Sequence, residues 1–573
     1  MRLTVLLASA LLAQLASAQT QTDPEAEGNI RANFAVETHE YMIAAANPIA
    51  AAAGDQIMAA GGSAVDAAIA ALLVLNVVEP QSSGIGGGAF ALVHSPSGLT
   101  SWDAREKAPA GVTPGLFIEN GLPLKFPEAL SSGRSIGVPG LLRLMERLHG
   151  LHGKLPWVEL FQPAVRLARD GFEVSSRLAH LLDSYSSRLL DSDAAQVFFS
   201  EQKPLSAGRI LKQPELAGTL ERIAENGAGF FYTGQLAHDI VAAASRNPRP
   251  GTLSLDDLDS YEIIERPAIC HPFRKYRICG MGPPSSGATT VGQILMLLDE
   301  FELEEFKVDE PMLWHLFASA SRLAYADRAY YLADADFIKV PVKGLLDRDY
   351  IRSRSQLFEF LNAPEEKAVA GEPPQRSAAR QAPDLQVDLP GTTHISVIDR
   401  DGLAVSLTAS IETAFGSGRM AGGVLLNSQL TDFSFRAWSG DGLLIANAPA
   451  AGKRPRSSMS PTIVYSDDKP LLIAGSPGGN RIPEYVAQSL LAMLVYNLDP
   501  AEASALPHIS HRNSDRITVE PHTPARVVDG LQKLGYEIEV RNLTSGLNII
   551  QITPAGVLIG GSDPRREGVA AGR

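Results

Sequence analysis

Apolar and polar positions alternate most regularly late in the chain, on both sides of Asp401-Gly402, where residues 392–411 read TTHISVIDRDGLAVSLTASI. Such alternation around a turn pair predicts a β-hairpin. Its register follows from the faces, because a one-residue slip sends every side chain to the other side. A loop of Arg400, Asp401 and Gly402, with Gly402 left-handed, pairs Asp399 with Leu403. Thr392, His394 and Ser396 then face Ser410, Thr408 and Ser406, while Ile395 and Val397 meet Leu407 and Val405. A shorter loop would set Ser396 against Leu407 and Thr392 against Ile411, mixing polar with apolar. The register that sorts the faces is the expected one. It places Ser410 opposite Thr392 with Cβ atoms roughly 5 Å apart, and Glu412 one step further along the same face.

Upstream, residues 40–360 are rich in helical periods with short strands between them. Residues 55–78 are dominated by small apolar side chains and predict a buried helix pair broken at Gly61-Gly62,. The glycines of GIGGG, residues 84–88, open a strand-like run at 89–94. Neither a helix after G-x-G-x-x-G nor a Walker lysine accompanies them, which excludes a phosphate cradle. The pattern lapses at residues 363–391, which are rich in Pro, Ala, Gln and charge and predict an exposed, poorly ordered segment,. It resumes abruptly at Thr392.

Composition changes this picture little. About 45% hydrophobic and 20% charged residues in a chain of 573 describe an ordinary globular protein with a large core,. A net charge of -14, with Lys and Arg scattered, argues against nucleic acid,. No Cys-x-x-Cys pair or His cluster has metal-ligand spacing, so neither metal nor cofactor is expected. Residues 1–18 read as an export signal: Arg2, an apolar stretch at 3–15, then Ala16-Ser17-Ala18,. That stretch is too short to span a bilayer. The expectation is a chain exported to the extracellular space or periplasm, without a membrane span once the signal is removed. Of the two cysteines, Cys270 and Cys279 fall opposite each other if Arg274-Lys275 form a turn. A disulfide and two free thiols are both compatible with that placement.

The face bearing Thr392 also has a chemical reading. A threonine hydroxyl is a weak nucleophile, but an N-terminal threonine carries its own base, since the α-amine has a pKa near 8. That arrangement requires a cut between Gly391 and Thr392. Taken alone, a strand face of hydroxyls reads more simply as a solvated surface.

At this point the sequence resembles a known family. TTHISVIDRDGLAVSLTASIETAFGSG resembles the γ-glutamyltransferase (glutathione hydrolase) signature of the N-terminal-nucleophile hydrolase superfamily. GGSAVDAAIA, GIGGGAF, WDAREKAP, IGVPG, QPAVRLARDGF, GPPSSG, YADRAYYLADADF, LLNSQLTDFS, KRPRSSMSP, GSPGGNRI and GSDPR follow in family order over nearly the whole chain. The resemblance implies an α+β fold of four layers, αββα, with two stacked, mostly antiparallel sheets. It implies one precursor that cuts itself into a large subunit, 19–391, and a small catalytic subunit, 392–573. It further implies a γ-glutamyl donor such as glutathione, with water or an amino-acid or peptide amine as acceptor.

The same resemblance assigns roles. Thr392 matches the nucleophile and Ser410 a threonine that hydrogen-bonds it. Gly478 and Gly479 match the N–H pair that stabilises the oxyanion. Arg105, Ser457 and Ser458 match the groups on the substrate α-carboxylate, and Asp432, with Gln429 and Glu412 beside it, those at the α-ammonium. This chain departs from the family pattern at Ser410, which lacks the usual methyl, at Leu403, and at Asn480. Residues 435–452, a lid with an aromatic latch in some members, are short here and offer Trp438. Two other readings are an acylase of the same superfamily, cephalosporin-acylase-like, and a non-catalytic binding scaffold.

Overall fold

A computed structural model describes residues 21–22, 34–385 and 391–573. The expected export signal lies outside them. Fourteen strands carry the two main sheets. In chain order they begin with β1 (Val36–Thr38), β2 (Met42–Ala45), β3 (Gly88–Ser95), β4 (Gly98–Ala104), β5 (Ile264–Arg266), β6 (Ile269–Phe273) and β7 (Tyr276–Gly280). They continue with β8 (Thr392–Ile398), β9 (Ala404–Ser410), β10 (Thr462–Ser466), β11 (Lys469–Ala474), β12 (Asn548–Ile552), β13 (Leu558–Ser562) and β14 (Val569–Gly572). The first sheet runs β5-β4-β3-β9-β8-β2-β14 and the second β6-β7-β10-β11-β12-β13-β1. Neighbours in both are antiparallel, for example Ser410 with Gly88 and Thr462 with Ala474.

Helices cover the two outer faces. The small-residue stretch forms α1 (Pro48–Ala59) and α2 (Ala64–Val78), separated at Gly61-Gly62 as its pattern predicts. Ser63 caps α2 in a capping box with Asp66,. Every residue of α2 is buried, and it packs with Ile395, Val397, Val405 and Leu407 in one apolar core. A second core joins α3 (Gly287–Leu298), α4 (Pro311–Tyr331) and α5 (Ile482–Leu494) to Val464, Leu472 and Ile549 of the second sheet. The architecture is the four-layer αββα arrangement that the resemblance implies.

The hairpin has the register that face-sorting selects: Thr392 pairs with Ser410, His394 with Thr408 and Ser396 with Ser406. Asp399 and Leu403 close the loop, and Gly402 is left-handed at φ 79°. Its polar face, however, is not solvated. Both strands are buried throughout, because that face meets the second sheet. Ser396 Oγ donates to the carbonyls of Asn548 (2.9 Å) and Ile473 (3.3 Å), and Ser406 Oγ to that of Ala474 (2.9 Å). Asn548 Nδ2 answers to the His394 carbonyl at 2.8 Å. These hydroxyls fasten one sheet to the other.

The segment expected at 363–391 is described over 363–385 and at Gly391. The stretch 363–385 holds no helix or strand and is mostly exposed, with several backbone N–H groups bonded to the rest of the fold. Gly371 N–H reaches Asp327, Ala382 N–H reaches the Leu444 carbonyl, and Asp384 N–H reaches the Ala329 carbonyl, each at 2.8–2.9 Å. Low hydropathy excluded a core strand there, but it did not exclude backbone bonds to the helices beneath. The cysteines settle as a disulfide between Cys270 and Cys279, paired across β6 and β7.

Candidate active site

The site grows from the open end of the hairpin. β9 ends at Ser410, and its Oγ donates to the carbonyl of Gly391 at 2.8 Å and accepts from the Glu412 N–H at 2.8 Å. Thr392 Oγ lies 3.4 Å from the same oxygen. Thr392 is itself pinned, since its carbonyl accepts from Arg566 Nη1 at 3.1 Å. A Cβ on Gly391 would fall 1.8 Å from the Glu412 carbonyl oxygen, so only glycine lets the chain pass there. Behind Thr392, His394 is enclosed between the sheets with Nδ1 on Thr408 (2.8 Å) and Nε2 on Ser396 (3.1 Å). Burial pulls its pKa down to about 3, so it stays neutral and structural,.

Glu412 does not continue the strand face. It turns into the left-handed region at φ 80° and its carboxylate accepts from Gln429 Nε2 at 2.6 Å. The same amide donates to Asp432 at 2.8 Å, from a short 3-10 turn at Gln429–Asp432. Asp432 then meets the guanidinium of Arg105 in a buried ion pair. Arg105 follows β4 and also donates Nε to the Pro455 carbonyl (3.2 Å) and Nη2 to the Arg456 carbonyl (3.0 Å). Burial works against its charge, but Asp432, Glu106 and Glu412 outweigh it and raise its pKa. Glu106 is the converse: burial pushes its carboxyl up to about 8, against the pull of Arg105.

Ser457 and Ser458 come next along the strand-like path that Arg105 holds. Ser457 Oγ accepts from the Met459 N–H at 3.1 Å, and Ser458 Oγ from Arg328 Nη2 at 2.6 Å. Gly478 and Gly479 lead into α5, at φ 138° and 59°, conformations that suit glycine,. A side chain on Gly478 would strike the Tyr485 ring at 2.4 Å. One small cleft is lined by Arg105, Thr392, Ser410, Glu412, Asp432, Ser457, Ser458 and Gly479, together with the apolar Met459 and Ile482. Four regions, at 105, 410–432, 457–459 and 479–482, thus converge on Thr392. Gln429 and Gly478 sit one residue or one hydrogen bond from that lining. Among the described residues no cluster of His, Cys, Asp or Glu has the makings of a metal site.

A family model described as Gamma-glutamyltranspeptidase matches residues 50–573. The chain belongs to the gamma-glutamyltranspeptidase family. It is accordingly an enzyme, a γ-glutamyltransferase. Curated relatives named glutathione hydrolase proenzyme agree along their length. That of Escherichia coli is 36% identical over 540 residues, covering 92% of this chain and 91% of its own. That of Bacillus subtilis is 37% identical over 545 residues, covering 93% and 91%. Among solved structures, the cephalosporin acylase from Bacillus halodurans superposes with a TM-score of 0.83 at 27% identity, covering 94% of this chain and 97% of that one. The gamma-glutamyltranspeptidase of Helicobacter pylori gives 0.55 at 32% identity, covering 58% and 96%.

Several residues of this γ-glutamyltransferase site are absent from the sequence reading. Arg566 reaches the Thr392 carbonyl from 174 positions away. Asn447 ties the Asp432 carbonyl (2.6 Å) to the Arg456 N–H (2.9 Å). For Glu106 the available signal was its place in the chain, a carboxyl directly beside the guanidinium of Arg105. No periodicity marks Arg566 or Asn447, since their partners lie on other segments of the chain and are mostly backbone groups.

Proposed function

We propose that the chain cuts itself between Gly391 and Thr392, and that the freed Thr392 then cleaves γ-glutamyl amides such as glutathione. In the first step Thr392 Oγ attacks the Gly391 carbonyl carbon, the C–N bond passes to an ester, and water hydrolyses it. Ser410 supports this reading, because its hydroxyl already donates to the carbonyl to be attacked. In the second step the new α-amine of Thr392 takes the proton from Oγ as it attacks the γ-carbonyl of the donor. The N–H groups of Gly478 and Gly479 receive the oxyanion, each donor being worth about 3 kcal/mol. The proton passes to the departing amine, leaving a γ-glutamyl-threonine ester. Water, or the amine of an amino acid or peptide, resolves it.

The observation that carries the reading is the pairing of opposite charges beside Thr392. Arg105, with Ser457 and Ser458, suits an α-carboxylate, a task for a planar fork. Asp432, with Glu412 and Gln429, suits an α-ammonium. The two ends already satisfy each other as an ion pair, so a zwitterionic head group can replace both at once. Residues 1–18 direct export in this reading, supported by their order of charge, apolar run and Ala-x-Ala,. Release of the chromogenic aniline from a γ-glutamyl anilide, with and without an acceptor dipeptide, tests it. Cleavage stimulated by the dipeptide is expected. Equal cleavage of an acyl anilide lacking the α-carboxylate would instead favour an acylase with the same nucleophile.

A further inference from the structure

We infer that Tyr485, in the first turn of α5, is a positioning residue for the oxyanion glycines, its ring the seat on which Gly478 rests. The inference rests on the function proposed above, in which the N–H groups of Gly478 and Gly479 receive the oxyanion. The loop from β11 into α5 is tied on either side of that pair. Ser476 Oγ donates to the Pro477 carbonyl at 2.7 Å and accepts from the Gly546 N–H at 3.2 Å. The Asn480 carbonyl accepts from the Tyr325 hydroxyl. Between these ties Gly478 turns at φ 138°, and the Tyr485 ring fills the space that a Cβ there would need. Glycine has the widest backbone freedom of any residue. Its peptide therefore stays aimed only as firmly as its neighbours hold it.

The ring is itself backed. His508 lies against it, with ring centroids 4.2 Å apart and planes inclined at 33°, a pairing that adds to plain area burial. His508 Nε2 meets Ser545 Oγ at 2.7 Å, and that hydroxyl donates to Asp563 Oδ2 at 2.6 Å. Asp563 belongs to the GSDPR motif and also accepts from Arg565 Nη1 at 3.0 Å. Arg565 Nε reaches Glu520 at 2.7 Å, and Glu520 accepts the His508 N–H at 2.7 Å, which closes the circuit. These residues are not a second nucleophilic centre. Ser545 stands between His508 and Asp563, whereas a nucleophilic relay puts the histidine in the middle. All three are buried, and burial beside Arg565 keeps the imidazole neutral,. What the network supplies is a fixed wall behind Tyr485. The GSDPR motif thereby reaches the oxyanion glycines through two rings.

The test uses the full chain, a γ-glutamyl anilide as donor, and two competitors. One is 2-aminobutanoate, which carries the head group and no γ-carboxyl. The other is the boronate analogue of glutamate, whose boron adds Thr392 Oγ, becomes tetrahedral and so reads the oxyanion geometry. Tyr485→Leu removes the ring and should lower kcat per cleaved chain about tenfold, since an oxyanion donor lost outright costs about a hundredfold or more. KM should stay within about twofold. The inhibition constant of the boronate should rise about tenfold while that of 2-aminobutanoate holds, a split that general loosening of the fold would not produce. Tyr485→Phe keeps the ring and should match the wild type. His508→Gln keeps a donor for Ser545 but removes the backing ring, and should lower kcat about threefold with the same split. It carries the test if the Leu variant fails to fold or to divide. Equal rises for both competitors, a raised KM with kcat unchanged, or unchanged constants throughout overturn the inference while the function stands. A wild-type chain inert toward the anilide overturns the function first.

Discussion

Glu106 and Arg105 lie side by side in the chain, yet burial treats them oppositely. Raised to about 8 by burial, the Glu106 carboxyl holds a proton in the fold that the unfolded chain releases near pH 4.5. The folded state thus binds more protons between those values, and stability falls as pH rises across that window. Glu106→Gln should remove this slope, so its melting temperature should drop less than the wild type's between pH 5 and pH 8. Identical drops would mean that Glu106 is ionised throughout. Arg105 carries the complementary expectation. Arg105→Ala strands Asp432 and should cost kcat/KM for a γ-glutamyl donor roughly 30-fold or more. Arg105→Lys should recover only part, because a point charge cannot hold Asp432 and the carbonyls of Pro455 and Arg456 together,.

At the scale of elements, the disulfide closes the β6–β7 hairpin at the edge of the second sheet, where Cys279 packs against Leu92, Ile463 and Tyr465. Removing it by Cys270→Ser with Cys279→Ser should lower stability by about 2–3 kcal/mol. Neither cysteine lines the cleft, so kcat should hold, and a loss of activity in the folded variant would show that this edge reaches the site. The hairpin at Thr392 was the most legible element of all. Its turn glycine and its two sorted faces determine the register without reference to anything else. What the strand pattern could not disclose was the partner of the polar face. A row of Ser, Thr and His reads alike whether it meets water or the backbone of a second sheet, and only the stacking of sheets distinguishes them. The same limit applies to Ser458, whose partner Arg328 lies on a distant helix. Arg105, Asp432, Ser457 and Gly479 came from motif resemblance, because nothing in their local spacing brings them to one cleft.

For the molecule as a whole, the decisive test is the cut itself. The smaller fragment should begin Thr-Thr-His-Ile-Ser, whereas Thr392→Ala should remain one chain and lack activity. A Thr392→Ala chain that still divides at that bond would remove Thr392 from the reaction. The strand order sets a second expectation. In the first sheet β9 and β8 lie between β3 and β2, and β14 closes the far edge. Strands from before and after residue 391 therefore alternate, with main-chain ladders between them. The two fragments should co-elute in native buffer and separate only in denaturant.

That interleaving also bears on concentration. Two pieces held by shared ladders and a common core have no dissociation equilibrium short of unfolding. Specific activity should therefore not decline on dilution, and two cleaved variants mixed together should not trade halves. Were the chain cut and exported as proposed, dilution into whatever volume surrounds the cell would leave its activity per molecule unchanged.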